Sequence, residues 1–403
     1  MKEQPLKNEA FMTIDLKEIR RQTPGVEDHI HMDNAGASLV PHSVLAAQID
    51  HLQLEARLGG YEAAGQMAEG MDAAYTSFAR LIGASATEIA FTASATDSWD
   101  RAFYSVPLGP GDRVLTGFNE YCSSFVALLH AREQRGFEIV VIGANARGDL
   151  DLDQLEAEAK KGAALIAVSH VPSSSGQVNP VVAVGRIANH YGVPYLLDAC
   201  QSLGQLEVDV EAIGCQMASF TGRKFLRGPR GMGALYIEAE FMNHLTPVFV
   251  TNQSAQWMAP DRFELRTDAK LFEAWERNVA AQLGFGAACD YLLGLDRQAI
   301  YARLAALSTR LRDGLAAIPG VEVLDPGAKL AAIVTCNLEG ITPWQVREKM
   351  AQQGITTQVA GAQHTRIDMD ARGIKEAVRL SPHYFLREED IDATLKGIKS
   401  IAA

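Results

Sequence analysis

Lys224 stands in the stretch SFTGRKFLRGPRGMGALYI, residues 219–237, between Arg223 and the further cation Arg227. Neighbouring positive charges disfavour an ammonium, so such a lysine holds a larger share of free amine at neutral pH. A free amine is what Schiff-base chemistry with a carbonyl requires. Earlier in the chain, Asp198 closes the apolar run YLLDA, with Gln201 three positions on. A carboxylate ending an apolar strand is desolvated and calls for a cationic partner. Taken singly, Asp198 also suits a strand-to-helix cap and Lys224 a solvated loop. Together, each just past an apolar run, they point to one pocket at a shared sheet edge.

Two more polar loops follow apolar runs. In TASATDSW, residues 92–99, small residues and Thr96 introduce a helix. Its first N–H groups suit a phosphate, or the segment is a plain N-cap. In SHVPSSSGQVNP, residues 169–180, His170 is either a satisfied core histidine or a site residue. The GPRGMG run lacks the strand-before, helix-after setting of a dinucleotide fingerprint. His29 and His31 alternate onto one strand face, but nothing else completes a ligand set, so no metal is expected.

These residues need elements to hold them. Seven apolar runs read as strands: 88–92, 113–117, 138–142, 164–170, 195–199, 217–220 and 233–237. Helical patterns between them imply crossovers and a mostly parallel, buried sheet of the α/β class. Ligands of such sheets lie at the carboxyl ends of the strands. Beyond residue 270 the pattern changes. Leu304, Leu307, Leu311 and Leu315 share a helical face, which Pro319-Gly320 ends. VEVL, AAIVTCNLEG, TPWQVREKMAQQG, ITTQVA, EAVRLSP and REEDIDATLKGIKSI then read as a smaller α+β lobe. The expected division is 1–35, packing with that lobe; 36–270, the large domain; and 271–403, a linking helix and the small domain.

The 403 residues carry a net charge of −12, which disfavours nucleic acid as a partner. No apolar run reaches the ~18–20 residues of a membrane helix. The N-terminus is polar, without the apolar core of a signal peptide. Five unpaired cysteines, Cys122, Cys200, Cys215, Cys289 and Cys336, fit a reducing cytoplasm.

In order, HMDNAGAS, TASATDSWD, EYCSSF, SHVPSSSGQVNPV, LLDACQSLGQLEVDV, SFTGRKFLRGPRGMGALYI and VRLSPHYF resemble the pyridoxal-phosphate (PLP) enzymes of fold type I. More closely they resemble aminotransferase class V, which includes cysteine desulfurases and isopenicillin-N epimerase-like proteins. The resemblance implies a large domain with a seven-stranded sheet, a smaller α+β domain, a homodimer and a small amino-acid substrate. Lys224 would hold pyridoxal 5'-phosphate as a Schiff base and shuttle protons at the substrate α-carbon. Asp198 would pair with the ring nitrogen and Gln201 with its phenolic oxygen. Tyr121 would stack on the ring, where desulfurases have a histidine. Ala95, Thr96 and Thr221 would take the phosphate, with Arg223 adding a charged contact. Ser173 stands where desulfurases have an asparagine, and His170 matches a histidine near the cofactor. Arg379 would bind the α-carboxylate, with Ala35, Gly36 and His364 as further substrate contacts.

Desulfurases carry a nucleophilic cysteine shortly before that arginine. Here the segment reads AGAQHTRIDMDARGIKEAVRLS and holds none. A persulfide-forming desulfurase is therefore not expected. GRKFLRGPRG, FEAWERN and TRIDMDARG are similar to the epimerase-like branch, which includes hercynylcysteine sulfoxide lyases. The expected reaction is carbon–sulfur β-elimination on a cysteine derivative, with transamination or epimerisation as alternatives.

Overall fold

The computed structural model describes residues 14–402. Residues 1–13 of the expected N-terminal segment lie outside them. All seven apolar runs form one sheet: β1 Ile89–Thr92, β2 Arg113–Gly117, β3 Glu138–Ile142, β4 Leu165–Ser169, β5 Tyr195–Asp198, β6 Met217–Thr221 and β7 Gly233–Ile237. Their order is β1-β7-β6-β5-β4-β2-β3. Strands β6, β5, β4, β2 and β3 pair parallel; β7 is antiparallel to both its neighbours. Every strand except β7 therefore ends at the same edge, and the loops quoted above meet there.

The strands read as unbroken apolar runs because both faces are covered. Alternation sends Leu115, Ile166, Val168 and Leu197 into a core with Phe78 and Phe285. Their neighbours Val114, Leu165, Ala167 and Leu196 enter a second core with Trp99, Phe103 and Leu128. Each large side chain so buried contributes roughly 1.5–3 kcal/mol. On the second face lies α1, Ala95–Ser105. Ser94 caps it by accepting the Asp97 N–H at 3.1 Å.

The smaller lobe holds an antiparallel sheet of β8 Val321–Val323, β9 Val334–Leu338, β10 Gln358–Gly361 and β11 Glu376–Leu380, ordered β8-β9-β11-β10. Helix α2, Arg297–Ala316, buries Leu304, Leu307, Leu311 and Leu315 against Val334, Cys336 and Val378. Helix α3, Glu388–Ala402, adds Ile391 and Ile398. Ile19, Val26, Met32 and Ala35 from the N-terminal stretch complete this core. The run ITTQVA serves two sheets, not one. Ile355–Thr356 pairs in parallel with Ile30–His31, and β10 pairs with β11.

Arg227 joins these parts. It is fully buried, with φ 62°, and pairs with no carboxylate among the described residues. Its guanidinium donates to the Leu39 carbonyl (2.9 Å), the Tyr384 hydroxyl (3.1 Å) and the Thr23 hydroxyl (2.6 Å). The rings of Tyr291, Tyr384 and Phe385 surround it at 5.5, 5.2 and 4.8 Å. Its own N–H donates to the Lys224 carbonyl at 2.9 Å, so the lysine turn is anchored from behind.

Gly204 backs onto the same turn, with φ +95°. A Cβ there would sit 2.2 Å from the Phe225 oxygen, a backbone atom that cannot swing away. Gly204→Ala is expected to lower stability by about 3 kcal/mol, through left-handed strain plus the clash. The urea midpoint of unfolding measures it. A change under ~0.5 kcal/mol would mean the turn yields.

Candidate active site

The site grows from the end of β5. Strand pairing sets Ser169 and Ser219 beside Asp198, one on each neighbouring strand. The carboxylate is 9% exposed and accepts the Cys200 N–H at 2.8 Å. Burial pushes its pKa up, while that N–H and the Lys224 charge oppose the shift. Lys224 is likewise buried, and its Nζ lies 3.2 Å from Cys200 Sγ. Tyr121, after β2, senses Cys122, Cys200 and the Arg223 charge, and burial raises its phenol. The Gln201 amide donates to the Ala35 carbonyl at 3.2 Å. Arg223 donates to the Gly36 carbonyl and accepts, at its own carbonyl, the Ser38 N–H.

Thr221 ends β6 opposite Gly233. A Cβ on Gly233 would lie 2.9 Å from the Ala95 nitrogen, so the start of α1 abuts this strand end. The N–H groups of Ala95 and Thr96 have no backbone acceptor among the described residues. On β11, Arg379 is 8% exposed. Its Nη1 donates to the Ser173 carbonyl and its Nη2 to Asp33 Oδ1, both at 3.0 Å. His364 sits within reach of the Arg379 charge; burial first, then that charge, lowers its pKa.

Lys224, Asp198, Gln201, Tyr121, Arg223, Ala35 and Gly36 thus come together through direct contacts or shared partners, and Asp33, on the same segment as Ala35 and Gly36, links them to Arg379, whose charge reaches His364. His170 does not join them. Its backbone N–H donates to the Asp198 carbonyl at 2.8 Å. His170 also lines a cavity with Asn179 and Lys329. Burial and the Lys329 charge push its pKa down to about 3, so the imidazole is neutral. Alternation sets Ser169 on the same face as its pair Asp198 and His170 on the other.

Three residues escaped the sequence reading. Glu120 is buried, with its two oxygens on the Ser169 N–H (2.9 Å) and hydroxyl (2.6 Å). Burial drives its pKa up to about 8. The signal was there: like Asp198, it follows closely on an apolar strand. Cys200 lay inside a quoted motif without a role, as did Asp33. Glu273 in FEAWERN is an anchor; it accepts from the Phe91 N–H and the Tyr75 hydroxyl, both at 2.7 Å. His29 and His31 face each other at 3.4 Å, and His31 also meets the Ala37 carbonyl.

A family model described as Aminotransferase class-V matches residues 30–394. The chain belongs to the aminotransferase class-V family. This class-V chain is 28% identical over 393 residues to a probable cysteine desulfurase of Methanothermobacter thermautotrophicus, covering 96% of the chain and 98% of the relative. It is 29% identical over 377 residues to a probable hercynylcysteine sulfoxide lyase of Mycobacterium tuberculosis, covering 93% and 90%. It superposes on an apo cysteine desulfurase from Thermococcus onnurineus with a TM-score of 0.90 and 26% identity, covering 97% and 98%. The fold is that of PLP fold type I, and the protein is a PLP-dependent enzyme. Desulfurase and lyase names both occur among its relatives. The exclusion of a desulfurase, drawn from the missing loop cysteine, has no support from them.

The pocket residues fit PLP. The buried Asp198 carboxyl lacks a full cationic partner, which a ring nitrogen carrying a proton supplies. Gln201 Oε1 and Ser173 Oγ are buried without partners. The start of α1 has N–H groups to spare for a phosphate.

Proposed function

We propose that this class-V enzyme cleaves a carbon–sulfur bond of a cysteine derivative by β-elimination. The observation that carries the reading is the Arg379 end of the site. Arg379 Nε is buried and unpartnered, an acceptor-seeking donor that a substrate α-carboxylate satisfies. Beside it stands His364, an imidazole where persulfide chemistry needs a thiol. Bound PLP supplies an electron sink next to the α-carbon. Lys224 then takes the α-proton, because its buried amine is the base nearest the cofactor-binding edge. Asp198 would hold a proton at the ring nitrogen. Ala95, Thr96, Thr221 and Arg223 would hold the phosphate, and Tyr121 would stack on the ring. Loss of the thiol from the β-carbon leaves a product that decays to pyruvate and ammonia. We read the exposed hairpin of Ala255–Ala259 and Arg262–Leu265, with Trp257 and Phe263 outward, as the face a second copy covers.

A desulfurase is the second reading, favoured by the Cys200 thiol 3.2 Å from Lys224. Product analysis decides. Pyruvate and ammonia from S-substituted cysteines, with no keto acid added, are expected. Alanine with a persulfide on Cys200 would establish the second reading. Strict dependence on a keto acid would make the enzyme an aminotransferase and sink both.

A further inference from the structure

We propose that Asp33 is a positioning residue that sets the Arg379 guanidinium to receive the substrate carboxylate, an assignment that rests on the amino-acid reading above. Two groups hold the Arg379 guanidinium. Ser173 holds Nη1 through its carbonyl, and Asp33 holds Nη2 through Oδ1, each at 3.0 Å. Both side chains of the ion pair are largely buried, 9% exposed for Arg379 and 16% for Asp33. Nε has no partner and no solvent. The free edge of the guanidinium is therefore Nε–H together with the second Nη2 hydrogen. Two parallel N–H groups are the prongs a carboxylate takes. Asp33 and Ser173 occupy what is left over and fix the plane.

Asp33 is itself fixed. It lies in a strap, residues 33–38, whose bridge to Ser381 runs beside β11. The Asp33 carbonyl accepts the Gly36 and Ala37 N–H groups at 3.1 and 3.0 Å. The Asn34 amide donates to the Ser381 carbonyl at 2.7 Å. Gly36 has an ordinary backbone angle but no room. A Cβ there would lie 2.5 and 2.6 Å from the two Asp33 carboxylate oxygens. Any side chain at position 36 therefore pushes the Asp33 carboxylate off Arg379. The absence of a side chain at Gly36 and the charge at Asp33 serve one geometry. The same carboxylate also neutralises a buried guanidinium before substrate arrives, which limits the penalty of an unpaired charge.

This role differs from general support of the fold in one measurable way: it acts only on ligands that carry the carboxylate. The test uses the full chain loaded with PLP, and two probes, S-methylcysteine and its decarboxylated counterpart S-methylcysteamine. Dissociation constants come from the change in cofactor absorbance on binding. Asp33→Asn is expected to weaken S-methylcysteine about 10- to 100-fold, the size of a lost charged hydrogen-bond arrangement. S-methylcysteamine binding and PLP content should stay unchanged. Gly36→Ala, which leaves the Asp33 charge in place, should weaken S-methylcysteine more than S-methylcysteamine. Equal weakening of both probes, loss of PLP, or no change in either variant would overturn the positioning role. If wild-type enzyme binds both probes equally, Arg379 does not read the carboxylate and the Asp33 assignment falls with it. If wild-type enzyme takes up no PLP on Lys224, the amino-acid reading itself has failed, and that result is separate from any variant.

Discussion

Lys224→Ala should lower turnover by at least about 10^4-fold and leave no reduction-stable cofactor adduct on the chain. The size follows from two roles resting on one amine. Covalent attachment needs a nucleophilic nitrogen, and general acid–base transfer alone contributes about 10²- to 10⁴-fold. Among the described residues, the Lys224 Nζ meets Cys200 Sγ, and its charge is the one that reaches Asp198. Removing it leaves the buried Asp198 carboxyl with less to oppose protonation. The fold should survive, because the anchoring around Lys224 runs through its backbone carbonyl and Arg227. Borohydride reduction followed by mass measurement, together with steady-state rates, checks both halves. A variant within tenfold of wild type would remove Lys224 from the chemistry.

Glu120→Gln should make the protein more stable at pH 8 than wild type, by roughly 4 kcal/mol, with near-equality at pH 4.5. The sign follows from proton counting. In the unfolded chain this carboxyl releases its proton near the ordinary 4.5; in the folded protein it keeps it until about 8. Between those values the native state binds the extra proton. Stability from this group is thus present below the lower value and declines as pH rises through the upper one. At ~1.36 kcal/mol for each pH unit, the window amounts to about 4–5 kcal/mol. Glutamine mimics the protonated acid: one oxygen for the Ser169 N–H, one donor for its hydroxyl. Urea unfolding of both proteins at the two pH values measures the difference. An unchanged pH slope in the variant would show that Glu120 ionises as an exposed carboxyl does.

Much of this arrangement is legible in the amino-acid sequence. The seven large-sheet strands are short, apolar and bounded by turn residues, so their periodicity and length agree. Asp198 and Lys224 stood out because charged groups closing apolar strands need partners, and one sheet edge serves both. The remainder lay in contacts between distant parts of the chain. Asp33 meets Arg379 across 346 positions, and no local pattern marks such a pair. The break at Thr357, which divides ITTQVA between two sheets, depends on Ile30–His31 arriving from more than 300 positions earlier. The direction of the His170 ring is set by a one-residue alternation after β4. Arg227 had no role in the sequence beyond a cation near Lys224, because the aromatic side chains of residues 291, 384 and 385 that make its burial tolerable come from distant positions.

The strap at residues 33–38 and the Arg227 cluster have a consequence for how the molecule is made. Arg223 is held by Gly36, Arg227 by Thr23 and Tyr384, and the strap by Ser381. During synthesis, residues near 380 leave the ribosome well after the strands of the large sheet, the last of which ends at Ile237. The large sheet can be complete while the lysine turn still lacks its outer support. Contacts of such sequence separation form slowly and leave apolar surface waiting for its partner. Nascent chains halted before residue 380 should therefore carry a folded sheet and no competent pocket. Competence arrives only when residues 23–38 meet Ser381 and Tyr384 around the lysine turn.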